Sequence, residues 1–434
     1  MRSVPVRALM LFGCAGPVLA QQPTRQAVPE PRPLGPIVAR SSQTFGAGAD
    51  LFPARGGVFV NDGASRRLLW FDSTLTAGRT VLDSASGLGR MNYYGPPLFG
   101  KAGGNASLSR FRGDSLFFVP AVAMGITGAS RAAEGLVIGP DGRVGRVTSV
   151  PTGVCSDGTM DNTGWVMCER NLALTRVPPI DMGDSVMTRA SADSSAVVSF
   201  NPVTGDADTV ARITIAPRIQ LGFSFKGRGG ARSAIMFPVI YLADAWTTFR
   251  DGTLAIVRGA DYHVDIIDVK GQVTRGPRAP FVWRRVTDDD RDRLVDSLRI
   301  ADSVEKRFRD SVAARRPPIT LADGTVLRPP TPAIQPHTPP DDWPTYWPVL
   351  NMRPNSGNER VVMVDADDRI WVDERQPVAG DSITVYGIFD KKGNFLERVK
   401  VPASQTVVSF GPGGAVYLAT VDGGRSTILR ARFR

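Results

Sequence analysis

The sequence predicts an all-β fold: a six-bladed β-propeller closed by an N-terminal strand, with one helical and Pro-rich insertion. Three observations predict it. A strand–turn–strand unit recurs along the chain. Gly and Pro number 45 and 34 among 434 residues, which favours many turns over long helices. The last copy of the unit runs out one strand short, as a ring completed by the other end of the chain would require.

The N-terminus reads as an export signal over residues 1–20. Arg2 and Arg7 supply positive charge, Ala8 to Ala20 is a short apolar run, and Val18-Leu19-Ala20 offers small residues before Gln21. The run is too short for a permanent membrane span. Leu11-Phe12-Gly13-Cys14 also loosely resembles a bacterial lipobox. Both readings stand: simple cleavage, or a lipoprotein anchored at Cys14. Either places the mature protein outside the cytoplasm, in the periplasm or beyond. Residues 21–37 read as a flexible linker, and 38–434 as the propeller.

The repeat carries the fold. In one element an apolar alternation ends in Asp or Asn and a Gly turn follows. Its copies are Leu68 to Asp72 with Gly78, Ala196 to Asn201 with Gly205, Val264 to Asp268 with Gly271, and Val385 to Asp390 with Gly393. Gly135 to Gly142 is a weaker copy. Each reads as a β-hairpin. A second element precedes each hairpin: a turn, then a period-two apolar strand. Its copies begin at Gly56, Gly113, Thr163, Asp251, Asp367 and Gly413. Stacking such units around an axis buries faces that no single sheet can bury. A segment near Val38 to Phe45 is placed to supply the missing last strand. Two packed sandwich domains are the alternative. They explain the turn spacing but not the recurrence of one unit.

These patterns, Phe/Ile-Asp-x-x-Gly and Asp-Gly-x-Leu-x-Val, resemble those of six-bladed propellers of the NHL and SMP-30/gluconolactonase-like group. Within it the chain is most similar to secreted bacterial propellers. The resemblance covers about residues 40 to 434. It implies architecture more than activity. SMP-30-like enzymes hold a divalent metal on the propeller axis through Glu, Asn and Asp and hydrolyse lactones. Such ligands suit Ca²⁺, but no positions of this sequence match that set. The Asp-rich turns at Asp157, Asp161 and Asn162, and at Asp365, Asp367 and Asp368, are equally explained as hairpin turns.

The repeat spacing stretches between Asp251 and Asp367, where an insertion spans 284–350. Residues 288–315 read as an amphipathic helix. Thr287 caps it, and Asp288, Asp289 and Asp290 suit its first turn. Leu294, Leu298, Ala301, Val304, Phe308 and Val312 form its apolar stripe. Its ten basic and eight acidic residues, counted over Arg284 to Arg316, suit a solvated face or a docking surface. A Pro-rich stretch follows and carries Trp343, Tyr346 and Trp347. These aromatics read either as a plug packed on the ring or as a ligand platform.

Chemistry is sparsely marked. Nucleophile-elbow, zincin and P-loop motifs are absent, and two histidines exclude a three-His zinc site. The formal net charge of +10 is spread along the chain, without the clustered basic run that nucleic-acid binding favours. Tyr262, His263 and Asp265 open one hairpin strand, with His263 and Asp265 on one face. They read as an acid/base pair or as a cross-strand ion pair. Cys155 and Cys168 flank a hairpin turn and read as a disulfide, or as two buried thiols. The sequence therefore predicts a monomeric binding or interaction module for a small molecule, glycan or envelope protein. It needs no cofactor, no nucleic acid and no transmembrane segment. The alternative is a lactonase-like hydrolase or lyase, with Ca²⁺.

Overall fold

A computed structural model describes residues 27–46, 49–54, 56–83, 87–88, 91–92, 107–110, 115–119, 133–150, 158–160, 166–171, 175–181, 185–201, 206–225, 231–236, 240–315, 319–320, 326–327, 343–350, 361–374 and 383–433. Strands dominate, and the fold is that of a β-propeller. The described residues form six sheets of four or more strands and two two-stranded pairs. Most of the larger sheets are built on an antiparallel meander. The first holds Asp50–Ala54, Gly57–Asp62, Arg67–Asp72 and Gly78–Leu82. The second holds Ser107–Arg110, Leu116–Val119, Ala133–Ile138 and Val144–Val150. The fourth holds Ala245–Thr248, Leu254–Arg258, His263–Ile267 and Val273–Arg275. The fifth holds Val362–Val364, Ile370–Glu374, Ile383–Phe389 and Phe395–Pro402.

The sixth sheet has only three strands from the C-terminal part of the chain: Gln405–Gly411, Ala415–Asp422 and Arg425–Arg432. Ile37–Arg40 adds the fourth, antiparallel to Arg425–Arg432, with Ile37 opposite Ala431 and Arg40 opposite Leu429. The edge that would template foreign pairing is thereby filled by the protein's own beginning. Part of the stretch expected as a linker, 21–37, is also held. Arg32–Pro33 runs parallel to Phe395–Pro402. Arg32 pairs with Glu397 and lies 4.6 Å from the Phe433 ring centroid, as Arg369 also does.

Apolar clusters sit between neighbouring sheets. Phe59, Leu68 and Leu82 of the first meet Phe118, Leu136 and Ile138 of the second. Val197 and Ile213 of the third meet Leu254 and Ile256 of the fourth. Val257 and Val264 of the fourth meet Ile370 and Phe389 of the fifth. Trp371 and Ile388 of the fifth meet Phe410 and Leu418 of the sixth. Tyr417 and Ile428 of the sixth return to Val58 and Phe71 of the first. Burying each large side chain stabilises by about 1.5–3 kcal/mol. The described core is thus divided into seams between neighbouring sheets.

The third sheet departs from expectation. Ser185–Phe200 and Ala207–Phe225 are far longer than the hairpin read from the sequence. Near Phe200 they pair as the predicted hairpin. Beyond Ala192 they continue as Ser185 to Ala192 against Arg218 to Phe225, flanked by Thr175–Asp181 and Ala231–Met236. The period-two signal does not change where the blade ends and the extension begins, so sequence alone does not mark the boundary. Asp157, Asp161 and Asn162 lie outside the described residues.

Alternation of strand direction gives the ring two ends. First-to-second and third-to-fourth turns lie at one end. Second-to-third turns and links between sheets lie at the other. At the first end the described turns are short, such as 73–77, 139–143, 268–272 and 390–394. At the second end lie the extension of the third sheet and the link between the fourth and fifth sheets, described over 276–315, 319–320, 326–327, 343–350 and 361.

That link contains the helix, Asp288–Arg315. Asp290 N–H donates to Thr287 Oγ1 at 3.2 Å, and Thr287 N–H donates to Asp290 Oδ2 at 3.1 Å. This reciprocal cap satisfies donors that the first turn leaves open. Of the expected stripe, Leu294 is half-buried, while Val304 and the neighbouring Ile300 are 53% and 65% exposed. No helix among the described residues is long and apolar enough to cross a membrane.

Candidate functional site

The sequence-predicted ligand-contact residues fall at the end with the long links, while Cys155 lies outside the described residues. Tyr262, His263 and Asp265 lie at the second-to-third turn of the fourth sheet. Trp343, Tyr346 and Trp347 lie in the link that follows that sheet. The structure joins the two groups through aromatic rings.

Tyr262 is fully buried and has φ of 50°, the left-handed region that a bulky side chain rarely adopts. What holds it there is its ring and hydroxyl. The ring lies edge-on to Phe281 and Phe389, with centroids 5.6 and 5.5 Å away. The hydroxyl donates to Glu374 Oε1 at 2.6 Å. Glu374 Oε2 accepts from Arg398 Nε at 2.9 Å and Nη2 at 2.6 Å. Glu374 is only 2% exposed, so this pair is desolvated and depends on these bonds. Burial pushes the Glu374 carboxyl up, and Arg398 and Tyr262 only partly reverse it. Burial, then the charge of Glu374, pushes the Tyr262 hydroxyl well above its ordinary range. A Cβ on Gly387 would fall on Tyr262 Oη and Glu374 Oε1, so that strand position must stay bare.

His263 is 5% exposed, and both ring nitrogens face carboxylates. Nδ1 is 2.5 Å from Asp261 Oδ1, and Nε2 is 3.1 Å from Asp265 Oδ1. The carboxylates are engaged in turn. Asp265 accepts from Arg258 Nε at 2.7 Å, and Asp244 accepts from Arg258 Nη1 at 2.8 Å. Asp261 accepts from Arg275 Nη2 at 2.7 Å and Arg278 Nε at 3.4 Å. Burial raises the Asp261 pKa, but the hydrogen bond and charge of His263, with Arg275 and Arg278, outweigh it and hold the carboxyl low. Burial likewise opposes the charge of Arg258, and Asp265 and Asp244 more than offset it. Neither His263 nitrogen is open to a substrate proton. The geometry is that of a chain of paired charges bracing the 259–262 turn. Tyr262, His263 and Asp265 are all buried, at 0%, 5% and 8% exposed.

The aromatic stretch lies at the start of the helix. Val286 N–H donates to Thr345 O at 3.0 Å, and Trp347 N–H donates to Arg284 O at 2.9 Å. Arg285 and Tyr346 are therefore opposed across a short antiparallel clip. On one face Trp347 lies 5.7 Å from the Arg284 guanidinium, and its Nε1 is 3.4 Å from Asp290 Oδ2. Trp343 lies 5.7 Å from the Arg291 guanidinium. On the other face Tyr346, 41% exposed, meets Trp283 edge-on at 6.3 Å. Trp283 meets Phe281 at 5.3 Å, and Phe281 meets Tyr262. A ladder of edge-to-face rings thus descends from solvent at Tyr346 to the buried Tyr262–Glu374–Arg398 group. Such contacts prefer fixed geometries.

Sequence reading missed Trp283, Arg285, Glu374 and Arg398. Period two carried a signal for Trp283, Arg285 and Glu374. Ile370, Val372 and Glu374 share one strand face, and Phe281, Trp283 and Arg285 alternate outward. The described residues contain no group of three or more His, Cys, Asp or Glu that fits a metal ion, and no chemistry is routed through one.

No protein-family model and no curated protein matches the chain. Among solved structures it is similar to a streptogramin B lyase at 10% identity and a TM-score of 0.34, covering 90% of this chain and 97% of that one. It is also similar to a gluconolactonase from Xanthomonas campestris at 12% identity and a TM-score of 0.19, covering 61% and 91%. A third is regucalcin, a calcium-binding protein from Agrobacterium tumefaciens, at 12% identity and a TM-score of 0.19, covering 76% and 91%. The architecture given above rests on the sheets and the clusters between them, not on these likenesses.

Proposed function

We propose that the protein is an exported six-bladed propeller that binds its ligand at the end bearing the long links, through the clip at the start of the helix. Each of the six larger sheets is one blade in this reading. The observation that carries it is the aromatic ladder. A surface ring, Tyr346, is braced through Trp283 and Phe281 onto Tyr262, whose hydroxyl is locked by Glu374. A contact surface braced this way loses little freedom on binding, which favours affinity. Tyr262, His263 and Asp265 then act as positioning residues beneath the surface. Trp343, Tyr346 and Trp347 make or support the contact.

The maturation reading belongs to the same proposal. Cleavage before Gln21 exports the chain to the periplasm or beyond, and Cys155 bonds Cys168. Supporting the disulfide, buried Cys168 lies opposite Gly158 in the adjacent strand, close in sequence to Cys155. Mass spectrometry of the secreted protein, with and without reductant, checks both points.

The test of binding is a fluorescence screen of envelope glycans and small acids against the native protein and Tyr346→Ala. Ligands that perturb tryptophan emission in the native protein and are lost in Tyr346→Ala support the reading. Ligands that bind both proteins equally sink it.

A further inference from the structure

We infer that the clip recognises acidic sugar rings, as a uronate-bearing oligosaccharide. This inference rests on the proposed binding role of the same surface and adds its ligand class. Three observations carry it.

The first is register. The two backbone bonds of the clip run from the residues flanking Arg285 and Tyr346, which makes these two a non-hydrogen-bonded antiparallel pair. Side chains of such a pair leave the same face and approach most closely. Trp283, two residues before Arg285, joins them on that face, and its edge-on contact with Tyr346 agrees. One surface therefore carries two aromatic rings and a guanidinium.

The second is charge. Around the helix start the other cations are engaged. Arg284 pairs with Asp290, and Arg291 Nη1 lies 2.9 Å from Asp288 Oδ1. Asp290 is further held by its capping bonds to Thr287. Arg285 is exposed and forms no ion pair among the described residues. Among the described residues it is the uncompensated cation of the clip, beside the exposed ring. A guanidinium is matched by the two oxygens of a carboxylate.

The third is shape. Tyr346 and Arg285 stand on an open surface, not in a closed pocket. A small aromatic acid needs enclosure to bury most of its area. A polymer does not, because neighbouring rings raise the effective concentration at each contact. A pyranose ring offers an apolar C–H face to Tyr346 and, in a uronate, an equatorial carboxylate within reach of a neighbouring cation. One ring thus meets both features.

The experiment titrates full-length mature protein with oligogalacturonate and with its fully methyl-esterified, uncharged counterpart. Binding is read by tryptophan emission and by calorimetry. The variants are Arg285→Ala, Arg285→Lys and Tyr346→Ala, each checked for native circular dichroism. The expected result is binding of the acid, at least tenfold weaker binding of the ester, and weakening of acid binding with added salt. Arg285→Ala loses the acid preference, Arg285→Lys keeps part of it, and Tyr346→Ala loses binding of both. Equal binding of acid and ester, sensitive to Tyr346 but not to Arg285, overturns the acidic class and leaves the platform standing. Failure of both sugars, together with no Tyr346-sensitive ligand in the wider screen, overturns the class and the platform together.

Discussion

The two ends of the ring follow different rules. At the short-turn end one device repeats. Asp268 accepts from the N–H groups of Lys270 and Gln272 at 2.9 and 2.8 Å. Asp390 accepts from Lys392 and Asn394, both at 2.8 Å, and Asp365 from Asp367 and Arg369, both at 2.9 Å. Each carboxylate is consumed by its own turn. At the other end the described links differ from one another. One link is a tight turn around a left-handed Tyr262, one is a sheet extension, and one holds a capped helix with an aromatic clip. The lesson is that a recurrent Asp here marks how the chain turns, while ligand chemistry is sought where the links differ.

That contrast yields predictions, taken from the largest effect downward. Removing residues 27–40 deletes the closing strand and the Arg32–Glu397 pair. The truncated chain is expected to aggregate or to unfold without a single cooperative transition, and scanning calorimetry with light scattering checks this. Arg398→Met strands the buried Glu374 carboxylate and is expected to cost about 3–5 kcal/mol in chemical denaturation. Arg398→Met with Glu374→Leu should recover much of that loss, since no buried charge remains. A double variant as unstable as the single one would mean that shape, not charge, governs the seam. At the short-turn end, Asp268→Ala is expected to cost about 1 kcal/mol, because an exposed turn loses its bonds but no seam opens. A loss as large as that of Arg398→Met would erase the distinction between the ends.

The smallest effect is one of pH. Burial pushes the Asp290 carboxyl up, but bonds from Thr287, Trp347 and Arg284 outweigh it and lower its pKa from 3.8 to about 2. The folded value is depressed, so the stabilisation is present above about pH 4 and is lost as pH falls toward 2. Helical circular dichroism should decline over that window in the native protein. In Asp290→Asn the decline should be weaker, from a lower starting signal.

Legibility in the sequence divides along the same line. The repeat was readable because turn chemistry is local: an Asp, a Gly and flanking alternation suffice. The helix start was readable for the same reason, since Thr287 and Asp290 cap each other three residues apart. The seam between the fourth and fifth sheets was not. Tyr262 and Glu374 meet across 112 positions, and no local pattern couples them. The clip was half-legible. Trp343, Tyr346 and Trp347 stand out by composition, but Trp283 and Arg285 become their neighbours only through the register with Thr345 and Trp347.

The closing strand has a consequence for how the molecule comes into being. Ile428 N–H donates to Ser41 Oγ across 387 positions, so the closing strand waits for a partner strand made far later in synthesis. Loop closure over such a span is slow compared with the local hairpins. The nascent chain therefore passes through a stage as an open arc, with one free edge at each end. Until the ring closes, those free edges can template pairing with other strands.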